Sequence, residues 1–440
     1  MQTCDTLLHA GVLLTQDDDR RVLENAALAI DGGRIVALGY SQDVTAAWQA
    51  REILDLSGML VMPGLVNAHT HAAMTFLRGL ADDMPLMDWL QQKIFPVEQG
   101  LTPDLVRLGS LLGFAEMLRT GTTSCVDMYI FEAAVLEAAD KAGLRCLAGE
   151  GVFNFPSACC PDADAALACT REMAQRWAGH DRLHVAVMPH SVYTTTAAQL
   201  TACRELADEL GLPLHIHLAE TRQETALSLE QHGLRPVAHA DRLGLLRPGT
   251  ILAHVVDVDE IALLARRGVS VVHNPSSNMK LASGVAPVPA MLDAGVRLAL
   301  GSDGAASNNR LNMFTEMGRA ALLHKAAGDP ETMPARTVLD MATRGGAAAM
   351  GGDGGVLAVG RPADCIALDL SAPNMQPLFN AASHAVYAAT GTEVALTMVA
   401  GEVLYRDGRF SRFDYPALCA EVREMRRFVL RRLGLPEQVA

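Results

Sequence analysis

Pro63-Gly64-Leu65-Val66-Asn67-Ala68-His69-Thr70-His71 begins at a proline–glycine break, continues as an apolar strand and ends in two histidines two residues apart. Side chains at i and i+2 on a strand point to one face, so both imidazoles can reach a single ion. The same form recurs downstream, where short apolar runs end in side chains able to bind metal. His217 ends Leu214-His215-Ile216-His217, with Glu220 three residues on; His254 ends Thr250-Ile251-Leu252-Ala253-His254; Asp303 follows Arg297-Leu298-Ala299-Leu300-Gly301-Ser302. Polar residues at the ends of successive parallel strands meet at the C-terminal mouth of a barrel. His215 shares a face with His217, and spacing does not choose between them.

Around these strand ends, apolar runs alternate with helical stretches from about 63 to 353. Runs at 184–188, 213–218, 250–255, 269–272 and 296–300 are separated by segments such as 197–210 and 259–267 with helical periodicity. Thr102-Pro103 reads as an N-cap followed by proline in the first helical position. The alternation predicts a (β/α)₈ barrel; an open doubly wound sheet would look similar, but no Gly-x-Gly-x-x-Gly or phosphate-loop pattern supports it. The two ends differ. Residues 27–38 form a hairpin pattern around Asp31-Gly32-Gly33, and late strands are expected near 363–368 and 394–399, with turns at Gly401-Glu402 and Asp407-Gly408. Neither flank can bury a core alone, so both are expected to pair into one composite β-sandwich domain. The expected division is 1–62 and 354–440 for that domain and 63–353 for the barrel. A helix is expected over roughly 416–433, with Glu421 in its first turn and arginines at its end.

Composition sets the partners. Half of the 440 residues are hydrophobic, which argues against disorder, and 36 basic against 50 acidic residues leave a net charge of −14. An acidic chain without a basic block is a poor ligand for nucleic acid or an anionic membrane. No apolar run approaches the ~18 residues of a membrane span, and the N-terminus lacks the basic start of a signal peptide. Nine cysteines without paired spacing fit a reducing cytoplasm. Self-association stays open.

Three imidazoles and a carboxylate form a borderline ligand set suited to Zn²⁺, with Fe²⁺ as substitute. Together with Pro189-His190-Ser191, His215–Thr221, the block His273-Asn274-Pro275-Ser276-Ser277-Asn278-Met279-Lys280-Leu281, Gly301-Ser302-Asp303-Gly304-Ala305-Ala306-Ser307-Asn308-Asn309 and the late Met398-Val399-Ala400-Gly401 turn, the ordered set resembles the metal-dependent amidohydrolase superfamily. Within it, the chain resembles the 5-methylthioadenosine/S-adenosylhomocysteine deaminases nearly end to end. The resemblance implies His69, His71, His217 and Asp303 as metal ligands, Glu220, His254 and Asp303 as catalytic groups, and Glu98, His190, Glu220 and Asp303 as substrate contacts. It also implies one metal ion. Binuclear relatives bridge two ions with a carboxylated lysine, and no lysine lies between Lys141 and His217.

The chemistry matches those residue types. Water activated by a metal near neutral pH can attack C6 of adenine, provided a donor serves N1 and a shuttle returns the proton to the leaving amine. Glu220 is suited to both tasks, Asp303 to accepting the water's proton, and His254 to stabilising developing charge. Cys159-Cys160-Pro161 has the wrong order for the cytidine-deaminase zinc motif and reads as a loop. Trp89 and Met84 are candidates for an apolar lid. His9, His180, His232, His239 and His384 read as structural or surface histidines.

The expected reaction is therefore hydrolytic deamination of a small nucleoside such as 5′-methylthioadenosine, S-adenosylhomocysteine, adenosine or 5′-deoxyadenosine. Alternatives are a related amidohydrolase acting on guanine, a triazine or aminofutalosine, and a non-catalytic metal-binding protein. Gly149-Glu150-Gly151 departs from the family pattern, which carries an arginine there. A glutamate facing the 5′ end would repel the carboxylate of S-adenosylhomocysteine, so neutral 5′ substituents are expected to be preferred.

Overall fold

The computed structural model describes residues 1–326 and 328–436. Eight parallel strands build a TIM-barrel-like body in two halves. Leu65–Thr70, Thr122–Tyr129, Arg145–Val152 and Leu183–Val185 pair in order, and so do Leu214–Leu218, Thr250–His254, Ser270–His273 and Arg297–Leu300. The 184–188 run divides into Leu183–Val185 and a short Met188–Pro189 strand.

The two seams are closed by different means. At one, single bridges join Val187 to Leu214 and Ser191 to His217. At the other, the Asn67 side chain and one backbone bond do the joining. Asn67 Nδ2 donates to Ser302 Oγ (2.6 Å), Ser302 N–H donates to Asn67 Oδ1 (2.9 Å), and Asp303 N–H donates to the His69 carbonyl (3.0 Å). This seam brings the His69-Thr70-His71 and Asp303 segments together. Ala68, Val126, Met128, Leu147, Met188, Ile251, Val272 and Ala299 pack into one apolar cluster from strands around the barrel, so its interior is core rather than channel.

Strands from both chain ends share one eight-stranded sheet. Its order is Arg409–Phe410, Glu402–Arg406, Val394–Val399, Cys365–Asp369, Trp48–Pro63, Gln2–Leu14, Val22–Asp31 and Arg34–Tyr40. Only Gln2–Leu14 and Trp48–Pro63 run parallel. The Asp31–Arg34 hairpin turns on Gly32 and Gly33 at φ +54° and +77°, the left-handed pair that such a tight turn requires.

Alternation along the strands divides their burial between two cores. Leu54, Leu56 and Val61 join the sheet's own core, whereas Leu60 and Met62 pack toward the barrel. Arg145 and Asp364 pair across the junction through Nε–Oδ2 (2.5 Å) and Nη2–Oδ1 (3.2 Å).

Thr102 caps the helix Pro103–Arg119, accepting from the Leu105 amide. The C-terminal helix is Tyr415–Arg432, and Arg431 and Arg432 occupy its last turn. Glu421 is not in its first turn, which carries no acid; Asp414, as N-cap accepting from Ala417 N–H (3.0 Å), supplies the negative charge there.

Candidate metal and active site

The strand ends bring His69, His71, His217, His254 and Asp303 together at the barrel mouth, where all but the fully buried His69 line one cavity. His69 Nε2 and His71 Nε2 lie 3.5 and 3.1 Å from Asp303 Oδ1. Ligand atoms of His69, His71 and Asp303 fall within 4.8 Å of one another, as do those of His69, His217 and His254. The two groups share His69.

Each proposed histidine ligand has its Nδ1 engaged. His71 Nδ1 bonds the Met128 carbonyl, His217 Nδ1 the His190 carbonyl (2.9 Å), and His69 Nδ1 faces His215 Nε2 at 3.2 Å. A carbonyl only accepts, so the first two Nδ1 atoms carry hydrogen and their Nε2 lone pairs face the centre. His69 is fully buried and its Nε2 has no hydrogen-bond partner, as expected of an atom reserved for a cation. The donor set fits a divalent metal ion. His215 stacks behind His69 (ring centroids 5.0 Å, 15°) and does not line the cavity, whereas His217 lines it and groups with His69 and His254.

Electrostatics agree with this placement. Burial alone would raise the Asp303 carboxyl, but the His69 and His71 imidazoles beside it hold it well below the usual range. Burial pushes His71 down, yet Asp303 lifts it to about 9. His69, by contrast, is pushed down to about 4 by burial. Burial also raises Glu220. His254 turns Nδ1 toward Asn278 Oδ1 (2.8 Å).

The backbone here is strained. Ala219, His254, Val255 and Asp303 adopt φ of +54°, +74°, +45° and +60°, a region that costs non-glycine residues about 1–3 kcal/mol. Hydrogen bonds hold it: the Ala219 carbonyl accepts from Val256 and Asp257 N–H (2.8 and 2.9 Å). Asp303 accepts from Gly304 N–H (2.8 Å), from Ser307 Oγ–H (2.9 Å) and from Ser277 Oγ–H.

The cavity holds about 710 Å³ of space including its open mouth, within the usual range for a small-molecule site. His190, Glu220, His254 and Asp303 line one side, and Leu86, Trp89, Leu90, Ile94, Phe95 and Phe153 supply apolar walls. Glu98 also lines it, facing Tyr129, and burial pushes its carboxyl up to about 7. His190 bonds Thr194 Oγ1 through Nδ1 (2.8 Å) and is lowered to about 3 by burial. Met84 lines a neighbouring cleft rather than this cavity.

Glu150 is not where selectivity needs it. Its side chain is buried away from the cavity lining and caps the helix Glu132–Ala142, accepting from the Phe131 and Glu132 amides (3.1 and 2.9 Å). The expected repulsion of a 5′ carboxylate therefore has no basis. A single strand position does not reveal whether a side chain faces substrate or the next helix.

Sequence reasoning assigned no role to Asn67, Ser277, Asn278, Ser302 and Ser307, although all lie within the blocks that carry the family resemblance. It also passed over Glu224 and Glu316. Glu316 is fully buried and accepts from Ser276 N–H (3.1 Å) and Asn308 Nδ2 (3.0 Å), joining two mouth loops.

The amidohydrolase family profile matches residues 60–404. A 5-methylthioadenosine/S-adenosylhomocysteine deaminase of Desulfovibrio desulfuricans is 64% identical over 99% of this chain and 100% of its own length. One from Lawsonia intracellularis is 57% identical over 99% of both chains. Among solved structures, an adenosine deaminase from Xanthomonas campestris with bound zinc superposes with TM-score 0.96 at 42% identity, covering 98% of this chain and 99% of that one. A zinc complex of atrazine chlorohydrolase from Arthrobacter aurescens gives TM-score 0.88 at 25% identity, covering 96% and 99%. The chain belongs to the amidohydrolase family, in the branch whose curated relatives carry the methylthioadenosine/S-adenosylhomocysteine deaminase name.

Proposed function

We propose that this enzyme hydrolytically deaminates the adenine ring of 5′-modified adenosines, releasing the inosine analogue and ammonia. The observation that carries the reading is the gathering of His69, His71, His217, His254, Asp303 and Glu220 at one apolar-walled cavity. Full-length identity of 64% to a deaminase of such nucleosides supports it.

In this reading His69, His71, His217 and Asp303 hold one divalent ion, zinc or Fe²⁺. Bound there, it supplies the Lewis acidity that makes water nucleophilic near neutral pH. Glu220 gives ring N1 one of the water's two protons and relays the other, taken up by Asp303, to the departing amine; the C6–O bond forms, the C6–N bond breaks and ammonia leaves. His254, fixed by Asn278, stabilises the charge developing at the attacked carbon's oxygen. Asp303 also takes a proton from the attacking water. Glu98 and His190 bind the ribose and base, and Trp89 covers the 5′ substituent. The assignment of 63–353 to the catalytic barrel, and of 1–62 with 354–440 to a composite sandwich without catalytic groups, belongs to the same proposal. So does a cytoplasmic setting, which the nine unpaired thiols favour.

Steady-state ammonia release from 5′-methylthioadenosine, S-adenosylhomocysteine, 5′-deoxyadenosine, adenosine, adenine and guanine tests the reading. Turnover is expected with the nucleosides carrying adenine. Activity on guanine alone, or on none of the panel with metal bound, would overturn it.

A further inference from the structure

The turn that presents Glu220 is held from behind by a second buried glutamate. Thr221-Arg222-Gln223-Glu224 has capping-box spacing, in which the glutamate normally returns to the amide of the N-cap residue. The first half is regular, with Thr221 Oγ1 accepting from Glu224 N–H at 3.1 Å. The second half reaches further. Glu224 Oε1 accepts from the Ala219 amide (2.9 Å) and Oε2 from the Glu220 amide (2.7 Å).

The arrangement exceeds what a helix cap needs. Thr221 already caps the helix Arg222–His232. Glu224 is 2% exposed, and burial pushes its carboxyl up to about 8 against the pull of those amides. A group so reluctant to ionise is a costly cap on its own account. Its partners show the use. Ala219 stands at φ +54° with its carbonyl bound by Val256 and Asp257, and Glu224 holds the amides on either side of the same residue's carbonyl. The peptide planes leading into Glu220 are thereby fixed, and with them the direction of the Glu220 side chain.

We infer that Glu224 is a positioning residue for Glu220, aiming the proton-carrying carboxyl through two backbone hydrogen bonds. The inference rests on the role proposed for Glu220, and the test separates the two. Glu224→Gln places an amide donor against a backbone donor, breaking one of the bonds while keeping size. On 5′-methylthioadenosine its kcat is expected to fall about 10–100-fold, the usual cost of a misaimed catalytic group. KM and bound metal should stay within about twofold of the parent, because the apolar walls and the metal ligands do not change.

The decisive measurement is the double variant. If Glu224 acts through Glu220, Glu220→Gln/Glu224→Gln is no slower than Glu220→Gln alone. A wild-type kcat in Glu224→Gln, or a further tenfold loss in the double variant, overturns the inference. Full activity in Glu220→Gln instead overturns the role of Glu220. Should Glu224→Gln fail to fold, Glu224→Asp keeps the carboxyl group but shortens the reach, and the same kcat loss with unchanged KM is expected.

Discussion

Left-handed backbone occurs in both parts of this molecule, at different kinds of position. In the sheet built from the chain ends it falls mostly in turns and connections, at Gln16, Arg20, Gly32, Gly33, Ala400 and Asp407, with Asn25 the exception inside the strand Val22–Asp31. At the barrel mouth it falls on Ala219, His254 and Asp303, within or beside the groups that line the cavity. The sheet is held by apolar side chains on both faces, Leu8, Leu28 and Ile30 on one and Leu7, Ala27 and Ala29 on the other. The mouth is held by buried carboxylates that take backbone amides: Glu150 those of Phe131 and Glu132, Glu224 those of Ala219 and Glu220, and Glu316 that of Ser276. Burial of oily surface is enough where only shape matters. Where side chains must be aimed, strain is accepted and hydrogen bonds hold it.

The sharpest break of this contrast is His69→Ala, which removes the atom shared by both ligand groups. Activity should drop to background and bound metal should disappear, as elemental analysis of the purified variant would show. Retained turnover would remove the metal site from the mechanism. Next is Glu220→Gln, expected to lower kcat by about 10²–10⁴-fold with metal content unchanged. Loss of metal instead, with turnover restored by added zinc, would recast Glu220 as support for the ligands.

Leu28→Ala probes the other side of the comparison. Leu28 is fully buried in the end sheet, and its truncation should cost about 2–5 kcal/mol in denaturant unfolding. Folded enzyme should keep its kcat and KM; a kcat defect at full folding would mean that the end sheet also shapes the mouth. The smallest effect concerns Glu98. With its carboxyl raised to about 7, it is half protonated near neutrality and charged only above that. If its ionised form accepts from ribose hydroxyls, kcat/KM rises with pH up to about 7 and then levels. Glu98→Gln should remove that inflection, and an unchanged pH profile would take Glu98 out of substrate binding.

The barrel and the meeting of its strand-end groups were readable because each is a local pattern repeated. His69 and His71, His217, His254 and Asp303 all stand where an apolar run stops, and one architecture explains why they meet. The hairpin at Gly32-Gly33 and the late strands were readable for the same reason. What failed depends on direction in space. His215 and His217 differ only in depth along one strand, and the ring of His69 that separates their roles is 146 residues away from His215. Glu150 sits on a strand among residues of the mouth yet turns to a neighbouring helix end. The Glu224 clamp has an ordinary capping-box spacing, and nothing in four residues reveals that the carboxylate overshoots its usual target. The 184–188 run divides at Ala186-Val187, although both pieces pair with Arg145–Val152 in one register.

The sheet shared by the two chain ends also fixes the order in which the molecule can assemble. The strand Trp48–Pro63 is made early, but its partner Cys365–Asp369 is made about three hundred residues later. During synthesis that flank of Trp48–Pro63 is an unpaired edge, the kind of surface that recruits foreign strands. Contacts so distant along the chain are slow to close. The growing protein therefore carries a sticky border through most of its translation, and truncations before residue 365 should aggregate even when every metal ligand is present.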